Sequence, residues 1–377
     1  METLALTKTR NYPEKGLLQA QARTLLGRLP RDSQQWSAEG RISVSLLSEH
    51  THYMDGFALF IPLPLGLAAA IQPAPESHIR WSLDGDFLPL DQLDSSIACI
   101  LQHPLDDRQT CEGVLLGPLG KRYEEGFLGT LAAVWHTVLE KAQASAQPTP
   151  EVFYTSVKET LTTCLNRPFG IGPSLASRAM EEAPAVILDT ETKEYLPVPP
   201  EGIPPAWALF DTGIFREPPA DFYWRKMEEQ EEALRLLQKQ GFRIESFRQL
   251  MHEDLQRALH YLPSRLVPTV RYLVTENRRV QRMTVALRKS DFQLAGGLML
   301  ISQACLKRDW KNTIPEIDAF VEYLQQVDGI YGVRMIGPGF GGQLIILGQP
   351  FILASVLEQA AEWFYARTGI LPETAIL

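Results

Sequence analysis

The run FALFIPLPLGLAAAI, Phe57 to Ile71, is the most apolar stretch of the chain and constrains its fold more than any other. A bilayer-spanning helix needs about 20 apolar residues, and this run is both shorter and broken by two prolines. With RISVSLLSEH before it and HIRWSLDG after it, the region from Arg41 onward reads as β-structure, so the chain starts on a sheet. Strand, loop and helix come next. GVLLGPLG (Gly113 to Gly120) leads into FLGTLAAVWHTVLEKA, where Leu128, Leu131, Val134, Trp135 and Leu139 share one helical face.

Beyond a polar stretch from Ala142 to Glu151, the pattern predicts a helix at about Val152 to Leu165, then a hairpin from PAVILDT and EYLPVP. The proline-rich segment PVPPEGIPPAW, Pro197 to Trp207, is the best domain junction, because prolines stiffen connections and oppose sheet pairing. It divides the 377 residues into domains at 1–196 and 197–377, each long enough for its own core. The second part is mainly helical. RKMEEQEEALRLLQKQG, PEIDAFVEYLQQVDG and LASVLEQAAEWFYARTG all close on glycine, and SDFQLAGGLMLISQACL opens on a Ser/Asp cap signal.

Composition excludes several functions. At 45% hydrophobic and 21% charged residues the chain is ordinary globular material. A net charge of −9 without a Lys/Arg-rich run argues against a nucleic-acid partner. Cys99, Cys111, Cys164 and Cys305 lack C-x-x-C spacing, so neither a zinc site nor a disulfide framework is expected, and a reducing compartment fits. The N-terminus METLALTKTRNYPEKG has no uninterrupted apolar segment, which with the short run above points to the cytoplasm and no membrane association.

IGPGFGG, Ile336 to Gly342, contains a G-x-G-x-x-G string at Gly337, Gly339 and Gly342. A dinucleotide fingerprint needs a helix directly after it. Here YGVRMI precedes and QLIILG follows, both strand-like, so the glycines belong to a reversal between two strands.

Four segments resemble one family. SEHTHYMDGF (Ser48 to Phe57) is similar to the galactokinase signature G-E-H-T-D-Y-N-G-G-F, and GVRMIGPGFGG to the family's third motif, roughly G-S-R-M-T-G-G-G-F-G-G. Between them GIGPSLASRAMEEAPAVILD tracks the family's G-I-M-D-Q-F-A-S segment, and FYWRKMEEQEEA its Y-N-x-R-R-x-x-C-E-x-A. From about residue 25 onward the chain resembles the galactokinase branch of the GHMP sugar-kinase superfamily. The resemblance implies an α+β fold of two domains with a central cleft, ATP and magnesium as cofactors, and a galactose-like sugar as substrate.

Carried over residue by residue, it places sugar contacts at Glu49, His50, His52, Tyr53 and Phe222, with Tyr223 adjacent, and the cleft glycine motif at Gly337, Gly339, Phe340, Gly341 and Gly342. His52 stands where the family has an aspartate, and a neutral imidazole offers only one acceptor nitrogen. The His50-x-His52 spacing lacks a third ligand, so no metal site is expected. The family's phosphate loop, P-L-G-A-G-L-S-S-S-A, starts as Pro118, Leu119 and Gly120 and then departs to Lys121, Arg122, Tyr123, Glu124 and Glu125. The two carboxylates suit a helix start and would compete with a triphosphate for it, while Lys121 and Arg122 could draw another anion. At the family's catalytic aspartate stands Pro173, and its arginine falls on Ser43, or on Arg41 if two residues are inserted. Losing a positioned general base costs roughly 10²–10⁴-fold in rate. The expectation is a pseudokinase binding a sugar, a nucleotide or a protein partner, the alternative being an active ATP-dependent sugar kinase with rearranged catalytic residues.

Overall fold

The structure is a computed structural model that describes residues 16–27, 34–83, 86–105, 110–119, 124–143, 148–179 and 184–377. Its strands are β1 Trp36–Leu47, β2 Phe57–Pro73, β3 His78–Leu83, β4 Asp86–Pro89, β5 Cys111–Leu116, β6 Val186–Asp189, β7 Glu194–Pro197, β8 Ala206–Phe215, β9 Ile330–Met335, β10 Gly341–Gly348 and β11 Glu373–Ile376. One sheet has the order β4-β3-β5-β2-β6-β7, with β1 also paired to β2, and a four-stranded sheet runs β11-β8-β10-β9. The apolar run of the sequence is thus the long central strand β2, buried along most of its length. Helices and sheets are mixed throughout, giving an α+β fold.

By packing the chain divides into two compact units. One joins Ser45–Phe60 to Ile187–Leu377, and the other joins the described residues up to Val44 to those of Ile61–Val186. The sequence set a junction at 196/197. Packing puts the boundary within β6, after Val186, and it also assigns Ser45–Phe60 to the unit built mainly from the C-terminal half. Such a segment leaves no sign in a linear pattern.

In the unit ending at Val186, helix Glu124–Ala142 buries Leu128, Leu131, Val134, Trp135 and Leu139, the face expected from its period. Backbones approach closely here: a Cβ on Gly126 would lie 1.8 Å from the Ser43 carbonyl oxygen, and one on Gly129 would lie 2.4 Å from Pro173. The Ser174 hydroxyl donates to the Gly129 carbonyl at 2.8 Å. Helix Leu17–Leu26 lays Ala22 and Leu26 against Ala68, Ala70 and Val114.

Cys99, on helix Ser95–Gln102, is disulfide-bonded to Cys164 on helix Pro150–Leu165. This overturns the expectation that no cysteines pair. The two lie 65 residues apart in sequence, and only helix packing brings their Cα atoms to 5.5 Å. Cys111 and Cys305 are free and buried.

The other unit packs Phe210 of β8 against Phe320 and Phe364, from helices Pro315–Leu324 and Leu353–Thr368, with ring centroids 4.3 and 5.5 Å away. Helix Phe292–Cys305 opens on Asp291, whose carboxylate caps the Leu294 N–H at 3.0 Å, as its sequence signal implied. Its Gly296 meets Gly332 of β9 so closely that a Cβ on Gly332 would fall 2.5 Å from the Gly296 Cα. Helix Val267–Arg288 escaped the sequence pattern because buried Glu276, Asn277 and Arg279 interrupt its apolar stripe. Among the described residues no helix is long and apolar enough to cross a membrane.

Candidate functional site

Between β1 and β2, residues Ser48 to Gly56 form a buried turn with three non-glycine residues at positive φ: Ser48 (145°), His50 (70°) and Asp55 (57°). Such conformations cost of order 1–3 kcal/mol each and persist only where surroundings impose them. Here many bonds do so. The Thr51 hydroxyl donates to the Ser48 and Phe57 carbonyls at 3.0 and 3.1 Å, Asn277 accepts the Phe57 N–H at 2.8 Å, and the Thr190 hydroxyl donates to the Gly56 carbonyl at 2.7 Å. The Tyr272 hydroxyl donates to the Glu49 carbonyl at 2.9 Å.

Glu49 itself is 1% exposed and paired with Arg334 of β9, which is fully buried and also donates to the Leu46 carbonyl at 2.8 Å. Glu276 lies 3.8 Å beyond the same guanidinium, accepts from Arg279 at 2.6 Å and takes the Ser302 hydroxyl at 2.8 and 2.9 Å. Two carboxylates and two guanidiniums therefore balance. Burial pushes the Glu49 carboxyl above its usual range, with Arg334 only partly offsetting it. Burial opposes the Arg334 cation, yet Glu49 and Glu276 more than restore it, so Arg334 stays charged. One Glu49 oxygen, Oε1, is buried with no hydrogen-bond partner among the described residues.

His50 stacks on Trp310, with ring centroids 4.8 Å apart and planes 17° from parallel. Its Nε2 faces the Asn312 amide nitrogen at 2.8 Å and its Nδ1 the Tyr53 hydroxyl at 2.8 Å. The same Asn312 nitrogen is 3.3 Å from the Pro338 carbonyl, which can only accept, so the amide must donate at both places. His50 is therefore neutral, carries its proton on Nδ1 and donates it toward Tyr53. Neither ring nitrogen is left for a metal. Among the described residues no cluster of three or more His, Cys, Asp or Glu could hold one.

Asn312 also accounts for the glycine motif. Its carbonyl takes the Phe340 N–H at 2.7 Å, and a Cβ on Gly339 would fall 2.4 Å from its amide nitrogen. Gly341 is equally confined, 2.2 Å from the Ile214 carbonyl oxygen by the same measure. The reversal joins antiparallel β9 and β10, the strand-to-strand turn that the sequence implied. Tyr223 donates to the Pro338 carbonyl at 3.1 Å, and Phe222 packs edge-on to Phe340 at 5.0 Å. So Glu49, His50, Tyr53, Phe222 and the glycine motif gather in one unit, as does His52, buried with its ring edge-on to Tyr53. Asn312 and Arg334 were missed by sequence reasoning. Arg334 stood inside the quoted GVRMIGPGFGG motif, and a charged residue in an otherwise apolar strand was its signal.

The second group of expected residues lies in the other unit. Pro173 is buried in the first turn of helix Gly172–Ala179, against Gly129. The Ser43 hydroxyl is buried without a hydrogen-bond partner among the described residues, and Arg41 lends its carbonyl to Thr130 at 3.0 Å. Pro118 and Leu119 follow β5, whereas Gly120, Lys121 and Arg122 lie outside the described residues, as does the side chain of Glu124. Glu125, in the first turn of helix Glu124–Ala142, is paired with Arg167 at 3.3 Å, both side chains being mostly buried. That pairing compensates the Glu125 share of the charge that both carboxylates were expected to set against a triphosphate. Asp189, the other carboxylate considered for the base, is in the unit of β8–β10, where both its oxygens engage Arg248. Burial would raise its pKa, but the Arg248 and Thr192 hydrogen bonds hold it below the usual carboxylate range.

Comparison with known proteins brings these observations together. The family described as GHMP kinases C terminal matches residues 283–366. A galactokinase of Roseiflexus sp. (strain RS-1) is 26% identical over 367 residues, covering 88% of each chain. One from Thermotoga maritima is 34% identical over 188 residues, and that match spans only about half of either chain, 49% of this one and 51% of the relative. Among solved structures, Lactococcus lactis galactokinase complexed with galactose superimposes with a TM-score of 0.75 at 19% identity, covering 95% of this chain and 96% of that one. Methanococcus jannaschii mevalonate kinase shares the fold more distantly, with a TM-score of 0.54, 11% identity and coverage of 92% and 98%.

Proposed function

Because the chain belongs to the galactokinase branch of the GHMP kinase superfamily, we propose that it is a cytoplasmic, galactokinase-like protein that binds a neutral, galactose-like sugar beside Glu49 and His52 and has lost phosphoryl transfer. The observation that carries this reading is Pro173. A kinase needs a group near the sugar hydroxyl to accept or orient its proton, and proline has no side-chain acceptor. Asp189 cannot substitute without giving up Arg248. Among the described residues, the Ser43 hydroxyl is buried and the Glu125 carboxylate is committed to Arg167, so neither is offered to ATP and magnesium. Sugar binding is supported by the unsatisfied Glu49 Oε1, an acceptor already desolvated and rigidly held.

One observation favours the second reading, an active sugar kinase: Glu125, being paired, does not repel phosphate as a free carboxylate would. Transfer of labelled phosphate from ATP to galactose decides between them. The expected result is no product above background, together with a rise in melting temperature when galactose alone is added. Turnover near the roughly 1–100 s⁻¹ usual for kinases, abolished by substituting Glu49, overturns the loss of transfer.

A further inference from the structure

The disulfide partners stand where a bond could control the phosphate side of the fold. Cys164 lies in the last turn of helix Pro150–Leu165, which ends on Asn166 in a left-handed conformation (φ 49°). The next residue, Arg167, holds Glu125 in the first turn of helix Glu124–Ala142. Cys99 supplies the other anchor from helix Ser95–Gln102, and His103, which caps that helix, meets Thr160, one turn before Cys164, at 3.2 Å, Thr160 also reaching His136 at 3.1 Å. Cys99 and Cys164 are each only half-buried, whereas the free Cys111 and Cys305 are buried, with the Cys111 thiol pushed up to about 11 by burial. In a reducing compartment an accessible disulfide is typically transient rather than structural.

We propose that Cys99–Cys164 is a redox-controlled clasp: opened by a dithiol reductant, it releases the C-terminal turn of helix Pro150–Leu165 and, through Arg167, loosens the start of helix Glu124–Ala142. In the exchange a reductant thiolate attacks one sulfur and the other leaves as a thiolate that takes up a proton. The reductant's second thiol then resolves the mixed disulfide. The protein gains two electrons and two protons as the reductant becomes a disulfide.

The test uses the full chain. Thiol titration under denaturing conditions is expected to count two thiols in the oxidised protein and four after dithiothreitol. Amide hydrogen exchange should then quicken at least about tenfold at Thr160–Arg167 and Glu125–Leu128, while Ile187–Leu377 stays protected. Cys99→Ser should behave as the reduced protein whatever the reagent. In Arg167→Gln the redox difference at Glu125–Leu128 should vanish while that at Thr160–Cys164 remains, which a purely local staple would not produce. Four thiols in the oxidised protein, unchanged protection at Glu125–Leu128 after reduction, or loss of protection throughout Ile187–Leu377 would each overturn the clasp.

Discussion

The turn Ser48–Gly56 and the first turns of helices Glu124–Ala142 and Gly172–Ala179 are the two places where site residues were expected, and they are built in opposite ways. Around the first, Glu49, Glu276, Arg279 and Arg334 answer one another and His50 has both nitrogens engaged. Around the second, Pro173 and the Ser43 hydroxyl are buried, and contact is made by close packing at Gly126 and Gly129. Removing a charge from the first strands its buried partner, whereas the second is held by packing.

The sharpest break of this contrast is Arg334→Met. Leaving Glu49 and Glu276 buried without their shared cation should cost about 3–5 kcal/mol, read as a shift in the urea midpoint. A loss below about 1 kcal/mol would mean that the network is not what braces the turn.

Acid should strike the other unit. Burial lowers the pKa of His136, with His103 adding to it, from 6.5 to about 4. A pKa depressed on folding contributes stability that is present above the unfolded value and lost as pH falls. Stability should therefore decline between about pH 6.5 and pH 4, by about 3 kcal/mol in total. Denaturation at a series of pH values should show that slope, and His136→Gln should flatten it.

Gly126→Ala is expected to cost about 1–3 kcal/mol by overpacking against the Ser43 backbone. An unchanged melting temperature would show that the close approach is relaxed in solution. The smallest effect should come from Asn312→Ala, about 1–2 kcal/mol from the lost amide donor. It should also free the His50 tautomer, visible as a change in imidazole nitrogen shifts by NMR.

Local regularities were legible in the sequence because they depend on neighbours within a few residues. The face of helix Glu124–Ala142, the β-structure of Phe57 to Ile71, the strand-turn-strand reading of IGPGFGG and the closing glycines Gly241, Gly329 and Gly369, all at positive φ, follow from periodicity and backbone freedom. The family motifs were legible for the same reason, being short strings of fixed spacing. Less visible was what each motif residue does. Glu49 reads as a sugar contact, yet most of its bonding is to Arg334, 285 residues away.

Sequence by itself determined the α+β class and the resemblance to sugar kinases, since both are written in residue identity or local order. Tertiary structure alone decided that Cys99 meets Cys164, that Arg167 compensates Glu125, that Asn312 sets the His50 tautomer and that Ser45–Phe60 packs with the later half of the chain. The physical reason is range. Propensity and capping act over one or two turns, whereas ion pairs, disulfides and buried amides join whichever groups the packed core brings within a few ångströms, whatever their distance along the chain.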